Sequence, residues 1–195
     1  TTDYSETSII AKIYTELFGV QSYMVNGVRK QNARNRSSIF QPLSLVEMVV
    51  YHKEWCGIQR ISEIRNTPQY KNIPFDVVKT SMVLFLCEVI YRAVKEEEEN
   101  SDLFEYLFNG LQVLDVQPET TGNFHLSFLL RLTRFLGFFP NGAYSEDAPF
   151  FNLQDGTFEA LTPSHPFFLD KILSRKFNEV IIASANLSET VLLSA

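Results

Sequence analysis

"NTPQYKNIPFD", residues 66–76, holds two prolines and no hydrophobic period, and the pattern differs in kind on its two sides. Before it, apolar residues fall in short β-branched and aromatic stretches. After it, they recur every three or four residues. Such a break divides an α+β chain into a β part and an α part, and it places a domain boundary after residue 66, with units 1–66 and 67–195.

The first part reads as strands. "TSIIAKIYT" (7–15) and "VQSYMVN" (20–26) are separated by Phe18-Gly19, which is turn material. "LSLVEMVVYHKEW" (43–55) is a longer run, followed by Cys56-Gly57 and "IQRISEIR" (58–65). Ile58, Ile61 and Ile64 do not alternate, so this last run reads as a bulged strand, although a spacing of three also fits a short helix. Four or five strands with short turns and one longer basic loop suggest a small closed β-barrel, because open edges recruit other strands.

The second part reads as helices. Phe75, Val78, Met82, Phe85, Val89 and Ala93 set one stripe. Leu84, Leu86 and Ile90 fill other faces, which predicts a helix buried all round at its middle. "KEEEEN" (95–100) ends it, and Ser101 is placed to cap a second helix striped by Phe104, Leu107, Phe108, Leu111 and Leu114. A third is expected from about Thr121 to Phe139, stopping at Pro140. Three such helices with short joins imply a bundle. "PFFNLQDGTFEAL" (149–161) interrupts it with Asp155-Gly156, a hairpin signal. "SHPFFLDKILSRKFNEVII" (164–182) resumes a helix, and "NLSETVLLSA" (186–195) reads as the opening of another. The chain opens without a methionine inside a structured element and stops inside a helix, so a longer chain is expected at both ends.

Charge sharpens the division. Of 195 residues, 45% are hydrophobic and 21% charged, an ordinary globular composition with a net charge of −6. Residues 1–65 carry eight Lys/Arg against six Asp/Glu, a balance of +2; the remaining nine and 17 give −8. A uniformly basic nucleic-acid binder is excluded, but opposite signs suggest two modules with the first facing a polyanion. Cys56 and Cys87 are the only cysteines, which permits neither a disulfide framework nor a four-cysteine zinc site and suits a reducing cytoplasm. "TSMVLFLC" (80–87), the most apolar segment, is too short to span a bilayer, so no membrane association is expected.

No catalytic constellation stands out. His52, His125 and His165 lie in three different elements without metal-type companions, and no phosphate-cradling or nucleophile-elbow motif occurs. Glu96 to Glu99 are adjacent residues of a helix end and point in different directions, as a solvated terminus does. No enzyme, metal or cofactor is expected.

"VNGVRKQNARNRSSIF" (25–40) is different. It places Arg29, Lys30, Arg34 and Arg36 in eight residues without an acid. By charge alone, a solubilising loop and a phosphate-binding loop fit equally. Single-strand binders combine a cationic groove with aromatic platforms, and Tyr23, Phe40, Tyr51 and Trp55 are interleaved with Lys53, Arg60 and Arg65. Core and surface positions are equally open to Tyr23 and Tyr51. Phe40 is expected in the core, and Trp55, beside Lys53 and Glu54, on the surface. Arg131 and Arg134 share a face of the third helix, where they either pair with acids of this half or receive a partner's carboxylate.

The ordered string carries more than the composition. "YSETSIIAKIYTELFGVQSYMVNGVRK" (4–30) followed by "FQPLSLVEMVVYHK" (40–53) resembles the start of RecO, the bacterial recombination mediator family. "IPFDVVKTSMVLFLCEVIYRAVKEEEEN" (73–100), "NFHLSFLLRLTRFLGFFP" (123–140) and "PSHPFFL" (163–169) are similar to its helical region, so the resemblance covers essentially the whole chain in order. It implies an N-terminal OB-fold barrel, here without the residues of its first strand, followed by a helical-bundle domain. It further implies single- and double-stranded DNA binding, strand annealing and help in loading recombinase, in the bacterial cytoplasm at the nucleoid. The implied partners are DNA, RecR and the C-terminal tail of single-stranded DNA-binding protein. Arg29 and Lys30 match the basic end of the family's Gly-x-Arg strand, and Arg34 and Arg36 fall in its basic loop. With Lys53 and Arg60 they form the candidate DNA-binding set; Arg131 and Arg134 are candidates for partner binding. Some family members carry a four-cysteine zinc motif after the third helix. The corresponding "NGAYSEDAPFFNLQDGTFEA" (141–160) has no cysteine, so a hairpin held by Phe150, Phe151 and Phe158 is expected without zinc. A protein-interaction scaffold working through the helical half, with incidental DNA contact, is the alternative.

Overall fold

A computed structural model of the chain describes residues 1–195 apart from 5, 7, 27, 29–37, 54, 118–122 and 193–195, with backbone only for 38 and 185–192. The fold is α+β. Its described residues gather into two compact units, Thr1–Thr120 and Thr121–Ala195.

The first unit begins with five strands: β1 (Thr2–Asp3), β2 (Ile9–Thr15), β3 (Gly19–Val25), β4 (Val46–Tyr51) and β5 (Gln59–Asn66), in the order β1-β2-β3-β5-β4. The β2–β3 hairpin is fully paired from Ile9 with Val25 to Thr15 with Gly19. Thr15 Oγ1 ties its turn, accepting from Phe18 N–H and donating to the Gly19 carbonyl. Gly19 has φ +59°, and a Cβ there would collide with the main chain of Glu96 and Glu98. Only glycine meets both demands without strain.

β3 and β5 are parallel and pair only at Tyr23–Gln59 and Met24–Arg60. β5 and β4 are antiparallel, with a register shift where Val49 faces Glu63 and Val50 faces Ile61, which leaves Ser62 as the bulge expected from the broken alternation. One face of the sheet buries Ile9, Ala11 and Val25 with Val28, packed by Ile13, Phe40 and Ile61. The expected barrel closure is not found: β1 and β4 are the two edges, and among the described residues no pairing joins them. β1 pairs with β2 over two residues, Thr2 with Ile10 and Asp3 with Ile9.

The proline-containing join leads through a 3-10 turn (Ile73–Phe75) to α1 (Val77–Ala93), capped by Asp76, whose carboxylate accepts from Val78 and Lys79 N–H. α2 (Ser101–Val116) is capped by Asn100, one residue before the expected Ser101. Its buried residues include Leu103, Leu107, Leu111 and Leu114. The expected stripe on α1 is corrected. The buried side is Lys79, Val83, Leu86 and Ile90, while Phe75, Val78 and Phe85 are exposed, as are Leu84 and Tyr91 on a helix expected to be covered all round. A helix apolar on every side offers periodicity no means of choosing a face. The choice is made by Lys79: its ammonium donates to the Asp115 and Gln117 carbonyls at the end of α2, at 2.9 and 2.6 Å. The Asp115 carboxylate in turn accepts from Lys71, Asn72 and Ile73 N–H.

The second unit holds α3 (Phe124–Phe135), the strands β6 (Phe150–Asn152), β7 (Thr157–Glu159) and β8 (Phe168–Leu169), and α4 (Lys171–Leu192). α3 ends earlier than expected. Gly137, with φ +81°, turns the chain so that Phe138 N–H reaches the Thr133 carbonyl, and the helix is closed before Pro140. The Asp155-Gly156 hairpin forms as β6–β7, and Phe151 packs against Phe158 at 4.9 Å between ring centres and against Phe177 at 4.8 Å. Residues 165–169 are not helical: Phe168 and Leu169 pair with β6, and α4 then runs unbroken where two helices were expected. The Asp170 side chain accepts from Leu173 N–H and sets that start.

Candidate nucleic-acid interface

β4 and β5 present an exposed face of alternate residues: Glu47, Val49 and Tyr51 on β4, with Arg60, Glu63 and Arg65 on β5. Directly opposed residues of antiparallel strands point to the same side. Tyr51 faces Arg60, and Glu47 faces Arg65. The two pairs differ. Arg65 donates to the Glu47 carboxylate at 2.7 Å and is neutralised locally. Neither Arg60 nor Lys53 pairs with an acid among the described residues, and both are exposed. Tyr51 is 67% exposed, so the end of the sheet near Arg60 offers an aromatic ring beside a cation.

Beyond Tyr51 the chain turns at Lys53–Cys56, closed by Cys56 N–H to the Lys53 carbonyl. Gln59, 2% exposed, clamps this turn from inside. Its Oε1 accepts from Lys53 N–H at 2.9 Å, and its Nε2 donates to the Lys53 and Cys56 carbonyls at 2.8 and 2.7 Å. The turn carries Trp55 outward, 88% exposed. A groove of about 400 Å³ runs beneath it, lined also by Gln21, Ser22, His52 and Glu97. It lies where β3 meets β5 at two residues only, which leaves the start of β3 without a strand on the side away from β2. There the Glu96 carbonyl accepts from Val20 N–H at 2.8 Å, bringing the acidic run against the sheet. His52 stacks on Phe18 with ring centres 3.9 Å apart and 7° between planes. Burial, with the negative charge of Glu96, pushes the Tyr14 hydroxyl up to about 12.

The expected site residues therefore divide. Lys53 and Arg60 lie at one end of the β4–β5 pair; Arg29, Lys30, Arg34 and Arg36 lie outside the described residues. Of the aromatics, Tyr23 is fully buried and Phe40 packs on the core, while Tyr51 and Trp55 are exposed. In the second unit Arg131 is half-buried on α3, and Arg134 is exposed with its guanidinium 4.1 Å from the centre of the Phe139 ring. Sequence reading missed Gln59, which looks like any polar strand residue, and the Phe18–His52 stack, whose members are 34 residues apart. Among the described residues no three His, Cys, Asp or Glu side chains gather to hold a metal, and no helix is long and apolar enough to cross a membrane.

Two family models match: Recombination protein O N terminal over residues 1–69, and Recombination protein O C terminal over residues 74–145. The chain belongs to the RecO family. Among curated relatives, the DNA repair protein RecO of Phocaeicola vulgatus is 36% identical over 169 residues, covering 87% of this chain and 70% of that protein. RecO of Bacteroides fragilis is 39% identical over 82% of this chain and 66% of its own length, and RecO of Christiangramia forsetii 40% over 80% and 65%. The chain thus spans about two thirds of the length of these RecO proteins. Membership in the family supports a role in DNA repair, and the resemblance of the motif series is borne out.

Proposed function

We propose that the chain is a non-enzymatic DNA-binding recombination mediator, which holds DNA at the basic end of its first unit, anneals single strands and assists recombinase loading together with RecR. The observation that carries this reading is the exposed Tyr51–Arg60 pair beside Lys53 and Trp55, in a chain of a DNA-repair family. Aromatic faces for bases next to unpaired cations for phosphates are what a single-strand binder needs. Arg29, Lys30, Arg34 and Arg36 extend that cationic set in sequence. In this reading residues 1–66 form the DNA-binding domain and residues 67–195 the partner-binding one. Arg131 and Arg134 receive the acidic tail of single-stranded DNA-binding protein, and the protein works at the bacterial nucleoid. If about four cations contact phosphates, the slope of log affinity against log salt for single strands is about −3. Fluorescence anisotropy on the parent and on Arg34→Ala/Arg36→Ala tests this; an unchanged slope in the double variant removes the loop from the mechanism.

A second reading, a protein-interaction scaffold with incidental DNA contact, is favoured by the exposed apolar residues Val77, Leu84 and Tyr91 on α1. Titration with an acidic, Phe-terminated peptide separates the two: tight peptide binding without DNA binding at low salt favours the scaffold.

A further inference from the structure

Trp55 is the only tryptophan of the chain, and among the described residues it is the most exposed large apolar side chain. It is not on a loose tail. The residues on either side of it in the turn, Lys53 and Cys56, are tied to buried Gln59 by three hydrogen bonds. Three ring-bearing residues line the groove, Trp55, His52 and Phe18, the last two stacked on each other. Its polar lining includes Gln21, whose Nε2 donates to the Phe18 carbonyl at 2.9 Å, with Ser22 and Glu97, residue types that pair with base edges. Glu97 disfavours a phosphate inside the groove, whereas Lys53, two residues before Trp55, and Arg60, the residue after Gln59, are exposed cations.

We propose that this groove takes one unpaired nucleobase of a DNA strand, stacked on Trp55 with its polar edge toward Gln21, Ser22 and Glu97, while Lys53 and Arg60 hold the flanking phosphates. The proposal rests on the DNA-binding reading and adds to it a selectivity. A base stacked within a duplex has no free face to offer, so the groove contributes to single-strand binding and not to duplex binding.

A single tryptophan makes the test direct. The 195-residue chain is titrated with oligothymidylate and, separately, with a hairpin duplex of equal length, following tryptophan emission and ligand anisotropy together. The expected result is quenching that saturates with the anisotropy for the single strand and is absent for the duplex. Trp55→Ala is expected to weaken single-strand binding roughly 5- to 150-fold, as loss of one stacked base does, to leave duplex affinity within about twofold, and to recover in part as Trp55→Phe. Anisotropy that reports single-strand binding with emission unchanged, or Trp55→Ala binding as the parent does, overturns the base site and leaves the DNA-binding reading standing. No anisotropy change with either ligand at low salt overturns both.

Discussion

Gln59 and Lys53 form a two-way hydrogen-bonded pair in which a side-chain amide stands in for a strand: Lys53 N–H donates to Oε1 at 2.9 Å and Nε2 donates back to the Lys53 carbonyl at 2.8 Å. The third bond, to the Cys56 carbonyl, completes a clamp on the turn that carries Trp55. Gln59→Leu keeps the volume and removes all three bonds. A loss of about 1–3 kcal/mol in urea unfolding is expected, the cost of removing three part-buried hydrogen bonds. Single-strand affinity falls with it under conditions where the variant is still folded, because the indole is no longer held in place. A variant of parental stability would show that the clamp is idle.

Lys79 and Asp115 make a second prediction. Lys79 is 2% exposed, and its ammonium donates to carbonyl oxygens at the end of α2, where the helix dipole favours a cation. Lys79→Met retains the packing and removes the charge, and about 1–3 kcal/mol of destabilisation is expected. Burial acts to raise the pKa of Asp115. The N–H donors of Ile73, Lys71 and Asn72, with the Lys79 charge, outweigh it and hold the carboxyl below its usual range. A depressed folded-state pKa gives stability that is present above the unfolded carboxylate value, about 4, and is lost as pH falls through the lower folded value. Urea midpoints measured from pH 6 down to pH 2.5 should therefore fall less steeply in Asp115→Asn than in the parent. Parallel curves would contradict the assignment.

Gly19 couples the sheet to the acidic run. Gly19→Ala has to adopt φ +59° and place a methyl group into the Glu96 and Glu98 main chain. The left-handed conformation alone costs about 1 kcal/mol, and the collision with backbone adds to it. A fall in stability beyond about 2 kcal/mol is expected by thermal or urea melting, with a lost Val20–Glu96 hydrogen bond visible as faster amide exchange at Val20.

Much of this architecture was legible in the residues. The change of period around Pro68 and Pro74 marks where strands give way to helices, and the uneven spacing of Ile58, Ile61 and Ile64 reports the bulge at Ser62. Asp155-Gly156 gives the hairpin. Three features were not legible, each for a physical reason. The face of α1 that turns inward depends on a lysine seated on carbonyls 36 and 38 residues away, which no local period encodes. The open edge of the sheet depends on pairing between distant strands. Pro166 and Asp170 mark where α4 can start, yet the apolar run through Phe167, Phe168 and Leu169 fits a helix as well as a strand. At the candidate site, the cations and Trp55 are visible in sequence, but the groove is made by a buried glutamine and by an incomplete β3–β5 ladder, both consequences of tertiary folding.

Lys53 and Arg60, which pair with no acid among the described residues, are the cations at one end of the β4–β5 pair proposed to grip phosphate. The most direct measurement is the salt dependence of single-strand affinity for the parent, Lys53→Ala/Arg60→Ala and Arg65→Ala. At about 0.7 per lost contact, the double variant should have a slope shallower by about 1.4, while Arg65→Ala, already paired with Glu47, should keep the parental slope. A double variant with the parental slope, or an Arg65→Ala slope reduced as much as that of the double variant, would contradict that grip.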